Sequence, residues 1–186
     1  MHKEYANLRR RPLLAPVWLA ALAAVFGIGL SIWLLASAST TTIIVMRHAE
    51  KAALPAEDPP LSPPGEARAE ALAHILGQGP EEFRVQAIFV SEFRRTQETI
   101  RPLANRLGVP VIVVPAADIE LVAKRARVEY RGGRVLIVGH SNTVPQIVEE
   151  LTGQEMPAMS ENEYGVAYVV ALPRFSRASV MRLDLP

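Results

Sequence analysis

Three short apolar runs in this chain each lead into a cationic or imidazole side chain, and that layout constrains the fold more than any other feature. Thr42-Ile-Ile-Val-Met46 runs into Arg47-His48, and Ala87-Ile-Phe-Val90 runs into Ser91-Glu-Phe-Arg-Arg95. Val135-Leu-Ile-Val138 runs into Gly139-His140-Ser141-Asn142. Helical pattern separates the three. Alternating strands and helices indicate an α/β fold with a mostly parallel sheet covered on both faces. In such sheets ligands gather outside the carboxyl ends of the strands. Arg47, His48, Arg95 and His140 are therefore expected to converge on one small anionic group, with a phosphoryl group as the candidate.

The remaining pattern fills in the order of elements. Residues 52–64 form a loop carrying Pro55, Pro59, Pro60, Pro63 and Pro64. Ser62 before Pro63 reads as a helix N-cap with proline at the first helical position. The helix behind it is expected to bury Ala67, Ala71, Leu72, Ile75 and Leu76 and to stop at Gly77 and Gly79. Further helices are expected at 94–107, ended by Gly108, at 118–130, and at 143–152, ended by Gly153. Strands are expected at 42–46, 86–90, 111–114 and 134–138. The tail offers two more, at 165–172 and 178–183, pairing as a hairpin or at the sheet edge.

Composition changes sharply ahead of residue 42. No charged residue occurs from Pro12 to Met46, and Leu13 to Ala36 is an apolar run of about 24 residues, long enough to cross a bilayer. Four divisions follow: a basic arm at 1–12, a transmembrane anchor or signal segment at 13–36, a linker at 37–41 and one domain at 42–186. Lys3, Arg9, Arg10 and Arg11 precede the apolar run, which predicts a cytoplasmic arm and a domain on the far side of the membrane. Ala36-Ser37-Ala38 resembles a signal cleavage site. The length of the run, with Trp18 and Trp33 near its ends, favours an uncleaved anchor. Either alternative exports the domain.

The arm takes four of the 20 Lys and Arg and one of the 19 Asp and Glu, leaving 16 cations against 18 anions. That balance argues against a nucleic-acid-binding surface. There is no cysteine, so no disulfide framework or thiolate metal site exists.

Arg47-His48-Ala49-Glu50-Lys51, the stretch Ser91-x-Phe93-x-Arg95-Thr96-x-x-Thr99, and Gly139-His140-Ser141-Asn142-Thr143 resemble the three signatures of the histidine phosphatase superfamily. This is the phosphoglycerate-mutase-like group, in its first branch. The likeness to exported bacterial members extends to Asp58-Pro-Pro-Leu-Ser-Pro-Pro-Gly-Glu-Ala-Arg-Ala-Glu-Ala-Leu72. It implies a three-layer α/β/α sandwich and a covalent phosphohistidine mechanism needing no metal or cofactor. By position, His48 would be the nucleophile, with Arg47, Arg95 and His140 completing the phosphate pocket. Mutases of the group tend to carry Gly, then Glu or Gln, then Ser after the Arg-His pair, and Ala49-Glu50-Lys51 differs.

The side chains suit that chemistry on their own terms. Phosphoryl transfer rests on positioning and charge neutralisation. Arg47 and Arg95 offer planar bidentate donors, and backbone N–H groups opening the 143–152 helix, with Ser141 and Asn142, add to the field. His48 must attack as neutral imidazole, its other nitrogen donating to a fixed acceptor. The proton donor for the leaving group is expected at Asp118 or Glu120, at the start of the 118–130 helix, with Glu50 or no dedicated acid as alternatives, although Asp118 also suits an N-cap. Glu50 is expected near the phosphate, pairing with Arg47, Arg95 or Lys51. Ser91 and Thr96 support the turn and helix start, Arg94 is an exposed cation, and His74 is a helix-surface residue. Glu161, Glu163 and Tyr164 are placed to line the cleft mouth.

The expected function is an exported phosphomonoesterase acting on a small or envelope-attached phosphoester, such as a sugar phosphate, from the bacterial inner membrane. Alternatives are a phosphohistidine-protein phosphatase, a mutase, and a non-catalytic phospholigand-binding domain. A reporter fused after Pro186 is expected outside the cytoplasm in a bacterial host, and a cytoplasmic signal would reverse the topology.

Overall fold

Side chains alternate from face to face along a strand, and here that alternation divides one sheet's apolar residues between two helical layers. The structure is a computed structural model that describes residues 17–37 and 39–185. The chain separates between Ala38 and Ser39 into two units, each described by itself.

In the second unit six strands form one sheet: β1 (Thr40–Arg47), β2 (Ala87–Val90), β3 (Val111–Val113), β4 (Arg134–Gly139), β5 (Val166–Pro173) and β6 (Ser179–Asp184). Their order is β3-β2-β4-β1-β5-β6. The first four run parallel. β5 lies antiparallel to β1, and β6 antiparallel to β5. The tail thus forms both the expected hairpin and the expected sheet edge.

Three helices connect the parallel strands, α2 (Pro63–Leu76), α3 (Arg94–Leu107) and α4 (Ile119–Glu129), and a fourth, α5 (Thr143–Thr152), joins β4 to β5. Ile43, Val45, Phe89, Val135 and Ile137 join Val122 and Ala126 of α4 and Val144 and Val148 of α5 in one core. Met46, Ile88, Val90, Leu136 and Val138 join Leu72 of α2 and Ile100 and Leu103 of α3 in another. The result is the α/β/α sandwich.

Boundaries differ from the sequence pattern in small ways. β1 begins at Thr40, two residues before the apolar run, because Thr40 and Thr41 continue the ladder opposite Pro173 and Leu172. A short 3₁₀ turn, Glu81–Phe83, precedes β2. The buried face of α2 is also rotated. Gly65, Ala69, Leu72 and Ala73 are buried, while Ala67 and Ile75 are exposed. Alanines stand on several faces of this helix, so periodicity alone misplaced Ala67 and Ile75, while Leu72 and Leu76 pack inward as expected. The packing decides it: a Cβ on Gly65 would overlap the Glu50 carbonyl, so only glycine lets the helix start approach that strand exit. Ser62 caps the helix as expected, its hydroxyl accepting from Gly65 N at 3.4 Å.

In the first unit the described part is α1 (Val17–Ser37). Its Val17–Leu34 stretch has a mean hydropathy of 2.2 and is long and apolar enough to cross a membrane, a property signal sequences share. The basic arm at 1–12, with His2, lies outside the described residues, as does Ala38 of the cleavage-like triplet.

Candidate active site

β1, β4 and β2 lie side by side and end together, and their exits build the site. Arg47, the last residue of β1, is in register with Gly139 of β4, and His48 N donates to Gly139 O at 3.0 Å. Gly139 has a local reason: a Cβ there would come 2.7 Å from Thr143 Oγ1. Without one, that hydroxyl accepts from His140 N at 2.9 Å and shapes the turn into α5. Beyond β2, Thr96 Oγ1 donates to Phe93 O at 2.8 Å and opens α3. Thr99 Oγ1 then accepts from Ala49 N at 2.9 Å and donates to Arg95 O at 2.6 Å, tying the first motif to the second.

Arg47 and His48 are 2% and 3% exposed, and His140 is buried. The His48 and His140 rings stand edge to face with centroids 5.3 Å apart. His48 Nδ1 lies 2.7 Å from Ala49 O. A carbonyl can only accept, so Nδ1 carries the proton and Nε2 keeps its lone pair. Ser91 Oγ holds His140 Nε2 at 2.9 Å and also meets Thr96 Oγ1 at 2.9 Å.

Arg47 is clamped by the segment before β5. Its Nη1 donates to the carbonyls of Ser160 (3.0 Å), Glu161 (2.8 Å) and Glu163 (3.4 Å). Its guanidinium carbon sits 4.2 Å from the centre of the Tyr164 ring. Nη2 donates to Glu161 Oε2 at 3.2 Å, and Ser141 Oγ donates to Glu161 Oε1 in a short bond. Arg95 rests on Phe93 at 4.3 Å, and that ring stands edge to face with His140 at 5.2 Å. Asp58 Oδ1 lies 3.9 Å from Arg95 Nη1. Arg47 Nε, Arg95 Nε and His140 Nδ1 are buried without a hydrogen-bond partner, an arrangement that costs about 1–3 kcal/mol per group.

Together these side chains line a cavity of about 450 Å³. The four expected residues meet there, joined by Ser141 and Asn142. Asn142 stands at the N-cap of α5 without a side-chain capping bond. Phe93, Ala116, Ala117 and Ile119 supply an apolar wall, and Lys51 a further cation.

Three expectations need correction. Glu50 does not line the cavity. Its carboxylate accepts from Arg68 Nε at 2.9 Å and Nη2 at 2.7 Å, and that bond holds its pKa below the ordinary value. The pairing follows from Gly65, which brings α2 and Arg68 against Glu50. Asp118 and Glu120 do not line it either. Both are exposed, because the chain turns at Pro115 to Asp118 so that Ala116, Ala117 and Ile119 face inward. Asp118 occupies the N-cap of α4 without a capping bond.

Some neighbours gave little signal. Glu161 and Tyr164 were placed at the mouth, but the clamp on Arg47 uses backbone carbonyls, which no side-chain pattern encodes. Asp58 opens a stretch already noted for its resemblance, but no pattern there pointed to a contact with Arg95. Lys51 and Phe93 stand inside the motifs and could have been found there. Arg94 pairs with Glu98 at 3.0 Å as an exposed cation, and His74 bonds Gln78 on the surface of α2.

Two guanidinium groups and two imidazoles thus stand together at the strand exits of an α/β sandwich, where their N–H donors suit the oxygens of a small anion. Residues 43–118 match the family model of the histidine phosphatase superfamily (branch 1). No curated protein matches. Among solved structures, the protein histidine phosphatase SixA complexed with tungstate is 24% identical, covering 77% of this chain and 96% of its own, with a TM-score of 0.63. A mycobacterial glucosyl-3-phosphoglycerate phosphatase is 16% identical over 79% and 100%, with a TM-score of 0.59. A putative alpha-ribazole-5'-P phosphatase from Escherichia coli is 17% identical over 77% and 96%, also at 0.59. These likenesses establish a shared fold.

Burial, then His140 and the two arginines, lower the pKa of His48 to about 3; its bond to the Ala49 carbonyl works the other way. Burial and then Arg95 lower His140 to about 4. Both imidazoles are therefore neutral near pH 7. An unfolded chain takes up these protons below about pH 6.5 while the folded one does not, so the stability from neutral burial is full above that pH. It declines as pH falls toward the folded values. In an NMR titration both rings are expected to keep neutral-form ¹⁵N shifts at about pH 5, and a midpoint near 6.5 for either would contradict this electrostatic picture.

Proposed function

We propose that the second unit is a phosphomonoesterase working through a phosphohistidine at His48. The observation that carries this reading is the fixed imidazole: Nδ1–H donates to Ala49 O, leaving a neutral Nε2 in a cavity lined by the buried Arg47 and the part-buried Arg95. A phosphomonoester enters with its phosphoryl oxygens toward Arg47, Arg95, His140 and Ser141. Nε2 attacks phosphorus, the P–O bond to the alcohol breaks, and the oxygen takes the electron pair. Water then displaces the imidazole and releases phosphate. The arginines stabilise charge on the equatorial oxygens, where such interactions have most effect. Two of the structural neighbours were solved with tungstate or VO3, oxyanions of the kind such a pocket holds.

The substrate is a small or envelope-attached phosphoester, such as a sugar phosphate. α1 supports an exported protein, as an anchor or a signal segment, and two structural neighbours are a glucosyl-3-phosphoglycerate phosphatase and a putative alpha-ribazole-5'-P phosphatase. The likeness to SixA favours a second reading, removal of phosphate from a protein histidine.

Full-length protein is expected to hydrolyse p-nitrophenyl phosphate and to lose at least about 10³-fold in kcat when His48 becomes Ala, with its Tm retained. Chelators are expected to leave the rate unchanged. Wild-type-like turnover by H48A would end the nucleophile assignment, and strict metal dependence would end the arginine-based account. A panel of sugar phosphates and a phosphohistidine protein separates the two substrate readings.

A further inference from the structure

The corrected positions of Asp118, Glu120 and Glu50 leave the departing oxygen without its expected proton source. Among the described residues lining the cavity, Glu161 is the one carboxylate. Other acids nearby are committed elsewhere. Asp58 Oδ1 accepts from Arg94 N at 3.0 Å, Glu92 Oε2 accepts from Ala116 N at 2.8 Å, and neither lines the cavity. The geometry points to Glu161 as the acid that protonates the leaving alkoxide, on the proposed reading that His48 is the nucleophile.

Its contacts show how it would reach that role. Arg47 Nη1 is held by three backbone carbonyls, whereas Nη2 donates to Glu161 Oε2. Ser141 Oγ donates to Oε1. In the free protein the Glu161 carboxylate therefore occupies two donors that face the cavity, as a phosphoryl group's oxygens would. Those bonds, Ser141 first and then the charge of Arg47, hold its pKa below the ordinary carboxylate range. A phosphoester dianion entering the cavity draws Nη2 and the Ser141 hydroxyl to its own oxygens. Glu161 then loses its stabilising donors and gains a like charge beside it, and both changes favour the protonated acid. Its side chain is 74% exposed, so water can supply the proton. It lines the cavity and is open to solvent, so it borders the route by which a leaving alcohol departs.

The steps balance. The His48 Nε2–P bond forms as the P–O bond breaks, and the alkoxide oxygen takes both the electron pair and the Glu161 proton to leave as alcohol. The resulting carboxylate accepts a proton from the water that attacks phosphorus. The P–N electron pair returns to Nε2, and phosphate departs. Glu161 matters most where the leaving group is a poor one.

The test compares kcat/KM, which reads steps up to the first departure, for glycerol phosphate and p-nitrophenyl phosphate in the full-length protein. Glu161→Gln keeps an acceptor for Arg47 and Ser141 but carries no acidic proton. Its loss on the alkyl ester is expected to exceed its loss on the aryl ester by about 10²-fold or more, with Glu161→Ala behaving alike and Tm retained. Equal losses on both esters would make Glu161 a positioning residue for Arg47, and gains on both would make it only a competing anion. Either result overturns the assignment, as would a wild type that cleaves the aryl ester and no alkyl ester. His48→Ala must abolish both activities. If it does not, the nucleophile reading fails, separately from Glu161.

Discussion

Arg47 is a buried cation at the end of a central strand, and the character of the site follows from how that charge is accommodated. Burying an ion costs several kcal/mol unless its hydrogen bonds are met. Three carbonyls before β5 take one amine group, the Tyr164 face covers the guanidinium, and Glu161 offsets the charge at the mouth. Arg95 is settled by the same means, with the Phe93 ring beneath it and Asp58 at its edge. Burial first, and then the two fixed cations beside them, keep the imidazoles neutral. On the proposed reading, the interactions that hold the arginines also prepare His48 for attack, so that chemistry and stability share one set of contacts.

Much of this was legible in the chain because the key side chains follow apolar runs directly. Once 42–46, 87–90 and 135–138 are strands of one parallel sheet, the rule for strand exits brings residues 47, 48, 95 and 140 together. The glycines and caps that stop α3 and α5 were equally plain, since Gly108 and Gly153 both adopt left-handed backbone at the helix ends. What failed was pairing across elements. Glu50 stands two residues from His48, yet its partner, Arg68, is set by how closely α2 approaches. That distance depends on a single missing Cβ at Gly65. Asp118 and Glu120 lie at the expected strand exit, but the turn from Pro115 presents Ala116, Ala117 and Ile119 to the cavity instead. Position along the chain places a residue near a site and says little about which way it faces.

The site also explains an otherwise unremarkable charge balance. Beyond the arm the chain has nearly equal numbers of cations and anions, and its positive groups form local pairs: Arg68 with Glu50, Arg94 with Glu98, Arg125 with Glu129, Arg182 with Glu163. The concentration of cations at the strand exits is therefore a feature of the fold's geometry and does not come from bulk composition. β1 enters the unit at Thr40 and delivers Arg47 and His48 at the far end of the sheet, so the anion site and the chain's point of entry occupy opposite ends of this unit.

The most direct measurement is capture of the covalent intermediate. Full-length protein quenched during turnover, under alkaline denaturing conditions that preserve phosphoimidazole, is digested and sequenced by mass spectrometry. One phosphoryl group is expected on the peptide containing His48, and none on the peptide containing His140 and Ser141. A phosphoryl group on His140 or Ser141, or turnover that proceeds with no covalent adduct at any time, would contradict it.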